Sequence, residues 1–151
     1  KLHESGDMNE RINYFDTVGI VGDMYQSHCV LLFATIIAKH TSRNREEILK
    51  ELASVEPEII QIARSLEYKG TAPTECKIRM TYKGIELEAD LAKMVSGDKY
   101  ILMNDNDKWN LDMGGCAYES VLREIKCGNG DLFLKEKEVD YLWDHASIIS
   151  C

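Results

Sequence analysis

The sequence predicts an α+β fold, with N-terminal helices packed on a small antiparallel sheet of hairpins and further helices at the C-terminus. Three observations carry this reading. Apolar residues recur at spacings of three and four up to about residue 68. The period switches to two between residues 77 and 90, and helical spacing returns after Gly114-Gly115.

Over Met24–His40, apolar side chains fall on nearly every face of a helical wheel, which predicts a central helix enclosed by protein. The polar break Thr41-Ser42-Arg43-Asn44 ends it. Asn44 is placed to cap the next helix, with Glu47 as its reciprocal partner. Ile48, Leu52, Val55, Ile59, Ile62 and Leu66 then form one stripe. Pro57 disfavours helical geometry at Glu56, so the stripe divides into helices over 45–54 and 57–68, with Gly70 as the stop. Ile78, Met80 and Tyr82, then Ile85, Leu87 and Ala89, alternate with polar residues about Lys83-Gly84, the pattern of a hairpin with one wet face. A second hairpin is expected over 99–103 and 108–113, joined by Asn104-Asp105-Asn106-Asp107. Helices follow over 117–125 and 132–143.

At 151 residues, with 44% hydrophobic and 29% charged side chains, the chain reads as a single globular domain over 1–151. It opens without methionine, and Met8 would serve as a start. Residues 1–7 are therefore expected to be a disordered or non-native leader. The net charge of −8 repels phosphate backbones, and no basic stripe offsets it, so nucleic acid is excluded as an expected partner. The longest apolar run, Cys29 to Ala38, is about half of the ~20 residues that cross a bilayer, so no membrane span is expected. Five cysteines, odd in number and without Cys-x-x-Cys spacing, point to reduced thiols and a cytoplasmic location.

Candidate chemistry is sparse. Counted as a calcium loop from Asp105, the segment lacks the sixth-position glycine (Asn110) and the twelfth-position glutamate (Cys116). No phosphate-cradling, dinucleotide, nucleophile-elbow or zinc-protease spacing is present, and neither cofactor nor metal is expected. Ser27-His28-Cys29 sets an imidazole beside a thiol, but neighbours on a helix point about 100° apart, which leaves Cys29 a core residue. Trp109, with Asp105, Asp107 and Asp112 around it, is the remaining constellation. A tryptophan ringed by acids suits a basic protein partner, the ring supplying buried area and the aspartates steering the encounter. The expected function is thus a small acidic protein-binding module of the inhibitor or immunity type. The alternative is a small cysteine-dependent hydrolase or transferase using Cys29 or Cys116 with a histidine from elsewhere in the fold.

Overall fold

A computed structural model describes residues 1–103, 107–111, 117–128, 130 and 133–148, the side chains of 27, 117, 118, 120 and 145–148 excepted. The fold is α+β, as the patterning predicts. Its strands are β1 (Leu2–Glu4), β2 (Glu58–Ala63), β3 (Glu75–Tyr82), β4 (Ile85–Lys93), β5 (Tyr100–Met103) and β6 (Asp107–Asn110). Its α-helices are α1 (Ile12–Ile20), α2 (Val30–Thr41), α3 (Arg45–Leu52), α4 (Ala117–Lys126) and α5 (Glu136–Ile148). A 3-10 turn, Met8–Arg11, precedes α1, and a π-helical stretch, Val21–Cys29, joins α1 to α2.

The main sheet has the order β1-β4-β3-β2, antiparallel except that β1 runs parallel to β4. The β3–β4 hairpin turns through Lys83 (φ 49°) and Gly84 (φ 82°), the doubly left-handed backbone that matches the twist of the strands it joins. One sheet face, Cys76, Ile78 and Met80 with Ala89 and Leu91, is buried. The other face carries Lys77, Arg79, Glu86 and Glu88, joined by ion pairs of 2.9–3.6 Å. The buried face shares one core with Phe15, Met24 and Tyr25, and with Ile48, Leu49 and Leu52 of α3. Each such side chain, fully removed from water, contributes on the order of 1.5–3 kcal/mol.

Two ionic ties close the layers. Lys93, 8% exposed, lies between Glu4 and Asp23, with 2.8 Å to the latter. Burial opposes its charge, but the two carboxylates outweigh burial and hold the ammonium pKa above its ordinary value. Glu51 of α3 receives Arg43 at 2.7 Å, Lys83 at 2.7 Å and the Tyr82 hydroxyl, fastening the helices to the β3–β4 turn. These donors, Arg43 foremost, hold its carboxyl well below the usual carboxylate range.

Four expectations are corrected. Residues 58–63 form a strand, not the helix expected over 57–68. The β-branched Ile59, Ile60 and Ile62 suit a strand, and β2 pairs with β3. A bulge between Ile59 and Gln61 sets Ile59 opposite Ile78 and Ile62 opposite Cys76, so residues three apart share a face. The helical-looking spacing is the signature of that bulge. Secondly, Leu2–Glu4 of the expected leader form β1, and the backbone amide of Tyr100 donates to the Lys1 carbonyl at 3.0 Å. Thirdly, α2 is buried along one side only, through Val30, Ala34 and Ile37, while Leu32, Phe33 and Ile36 remain half-exposed. Fourthly, Asn44 caps α3 by accepting from the Glu46 amide at 2.8 Å, but Glu47 does not complete the expected reciprocal pair and lies 3.8 Å from Arg43.

By length and composition, the helical run Met8–Thr41 includes a window able to cross a membrane, and it is the one such run among the described residues. Here 47% of that window is buried in the protein's own core, the backbone breaks at Gly19 (φ 64°, ψ 177°), and Asp23 is tied to the sheet by Lys93.

Candidate functional site

The second hairpin forms where the sequence places it, as a separate two-stranded sheet. Antiparallel register sets Ile101 opposite Trp109 and Met103 opposite Asp107, so these four share one face. It is tied to the main body through backbone bonds. Leu2 bridges to Lys99 beside the Lys1–Tyr100 bond, while the Leu111 amide extends the hairpin itself by donating to the Lys99 carbonyl at 2.7 Å. Every residue of β6 is exposed.

Trp109 is 46% exposed and stands outside the buried core. Asp107 is exposed and makes no ion pair among the described residues. Asp105 and Asp112 lie outside the described residues, as do Cys116 and most of the Asn104–Asp107 turn. The nearby cations are already engaged. Lys99 pairs with Glu4 at 3.1 Å, while Lys108 lies 4.2 Å from the Tyr100 ring centroid and 3.8 Å from Asp98. The structure thus brings Asp107 and Trp109 together on one exposed face.

A cavity of about 380 Å³ lies between this hairpin, α2 and the start of β4, lined by Leu32, Phe33 and Ile36 among others. It explains the half-exposure of those side chains, because among the described residues no other apolar element covers that side of α2. Cys29 lies in its wall, 3% exposed, and burial pushes its thiol up to about 12, so it is protonated at neutral pH. His28 opens into a different cleft from the cavity that Cys29 lines. His40 lines the same cavity as Cys29, but eleven residues of helix separate them by about 16 Å. Cys76 is buried, and Cys127 is exposed on the turn after α4. Among the described residues no histidine hydrogen-bonds to Cys29 or Cys127, and no cluster of three or more metal-ligating side chains occurs.

Sequence reasoning missed a second concave surface, between α1 with its π-helical extension and α5, where Trp143 is 67% exposed and Gln26 is buried. Its one legible signal is that α5 carries Val139, Leu142 and Trp143 on a short helix late in the chain, more apolar surface than α3 alone can cover. In comparisons with protein-family models, curated proteins and solved structures, the chain matches none.

Proposed function

We propose that this chain is a non-catalytic, cytoplasmic protein-binding module of the inhibitor or immunity type, which engages a basic partner protein through the β5–β6 hairpin. The supporting observation is the placement of Trp109, half-exposed and outside the core, on one face with Asp107, which makes no ion pair among the described residues. A solvent-facing tryptophan gives up apolar contact that a partner would restore, and tryptophan is enriched among residues that dominate interface energies. The acidic balance of −8 favours encounter with a basic surface. The cysteine-enzyme alternative gains nothing from Cys29, which is buried and protonated and, among the described residues, makes no hydrogen bond to a histidine.

The test compares proteins captured from native lysate by wild type and by Asp107→Lys/Trp109→Ala, with quantitative mass spectrometry. Basic proteins retained by wild type and lost by the variant support the proposal, provided both melt at similar temperatures. Association of a captured partner should slow with Asp107→Lys chiefly at low salt, because exposed charges are screened beyond about 10 Å at 0.1 M. An identical captured set for the two proteins removes the hairpin as the binding surface.

A further inference from the structure

The cleft beside α5 is independent of the hairpin. It encloses about 900 Å³, within the range of small-molecule sites, and its walls are mainly apolar, with Ile62, Leu134, Val139 and Trp143 all partly open to solvent. Such a concentration of uncovered apolar side chains marks a binding surface more often than chance exposure. The α5 wall is held in place. Glu138 grips Arg45 of α3 through two bonds of 2.7 and 2.9 Å, so the cleft is formed before any ligand arrives.

Gln26 identifies the polar end. Its side chain belongs to a residue only 7% exposed, lines the cleft, and has no hydrogen-bond partner among the described residues. Its amide atoms are not among the buried unpartnered ones, which in the described residues are Arg79 Nε alone, so they keep contact with the solvent of the cleft and are open to a ligand there. It projects from the π-helical stretch, where the Val30 amide bonds five residues back to Tyr25, and such stretches concentrate at functional sites. Gly22 keeps this end open. A Cβ there would stand 2.6 Å from Val18 Cγ1 and 3.9 Å from Gln26 Oε1.

Charge selects the head group. Asp16 and Asp23 line the cleft and oppose an anion. Neither leaves a strong demand for a cation: Asp23 is paired with Lys93 at 2.8 Å, and Asp16 Oδ1 accepts from the Ala72 and Thr71 amides and the Tyr68 hydroxyl, each at 2.8 Å. A carboxamide offers one donor and one acceptor side by side, which another amide answers with two bonds. We propose that this cleft binds a small amphipathic molecule with an apolar body against Val139 and Trp143 and a neutral amide head on Gln26.

The chain has two tryptophans, so Trp109→Phe leaves Trp143 as the reporter. Octanamide, octanoate and octylammonium are titrated against its fluorescence. Octanamide should saturate with Kd on the order of 1 mM or tighter, and the two charged probes should bind at least tenfold more weakly. Gln26→Leu, which removes the polar group at similar volume, should weaken octanamide at least fivefold without lowering Tm. Leu134→Asp, at an exposed wall position, provides a second reading should Gln26→Leu not fold, and should abolish the saturable signal. Absence of saturable octanamide binding, equal binding by Gln26→Leu or Leu134→Asp, or tighter binding of either charged probe overturns the proposal.

Discussion

Removing Glu138 tests how α5 is held. Its carboxylate, 2% exposed, accepts from Arg45 Nε and a terminal guanidinium nitrogen at 2.7 and 2.9 Å, and from the Lys135 amide at 2.9 Å at the start of the helix. Glu138→Gln keeps the shape but removes the charge, and it turns an amide NH2 toward Arg45 donors. Breaking one side of a buried pair costs roughly 3–5 kcal/mol. Arg45 remains 19% exposed and keeps its bond to the Phe133 carbonyl at 3.1 Å, so water re-solvates part of it and the expected loss is about 2–3 kcal/mol. Urea denaturation at pH 7 measures it. Hydrogen exchange should show lost protection in α5 and little change in β3 and β4. Replacing both partners, Arg45→Met with Glu138→Met, should recover most of the loss, because no unpaired charge remains. The pH dependence follows from Arg45 holding the Glu138 pKa below its ordinary value. A depressed folded pKa gives stability that is fully present above the unfolded value of about 4.3 and is lost as pH falls through the folded pKa. Glu138→Gln should therefore flatten the acid limb below about pH 4. A loss under 0.5 kcal/mol at pH 7 with an unchanged acid limb would refute the reasoning.

Three further outcomes are expected. Alkylation of native protein, mapped by mass spectrometry, should label Cys127 rapidly and leave Cys29 and Cys76 protected until unfolding, since the first is exposed and the others are buried. Leu52→Ala, at a site with no exposure, should cost about 2–5 kcal/mol in chemical denaturation, and Leu32→Ala, against the cavity under the hairpin, less than half of that. Gly84→Ala forces a Cβ into the left-handed region at φ 82° and should lower stability by about 1–2 kcal/mol, with full recovery of the wild-type value only when glycine is restored.

Legibility in the sequence followed locality. Asn44 announced α3, alternation about Lys83-Gly84 announced β3 and β4, and the turn residues around 104–107 placed the second hairpin, with Trp109 and Asp107 on it. Each signal lies within a few residues of what it specifies. The bulge in β2 disguised a strand as a helical stripe because an inserted residue turns a spacing of two into three. β1 is three residues long, too short for periodicity, and its partner is remote. The cleft at Gln26 was illegible for a different reason. Apolar patterning says which residues can be buried, but which of them stay uncovered depends on where α5 lands, and that is set by long-range contacts, the Arg45–Glu138 ion pair and the packing of Leu142 into the core, that no local pattern shows.

The parallel pairing of β1 with β4 bears on how the molecule is expected to open. Glu4 and Lys93 are separated by 89 positions, so closing that contact draws on the largest loop entropy in the sheet and follows the neighbouring β3–β4 hairpin. The same three residues also anchor the second hairpin, through the Leu2–Lys99 bridge and the Lys99–Glu4 ion pair. Residues 1–4, 99–103 and 107–111 are therefore expected to open as one unit, at lower cost than the sheet centre. Native-state hydrogen exchange should then show β1 and the β5–β6 strands losing protection together and before β3, which would place the surface proposed to meet a partner in the least stable part of the molecule.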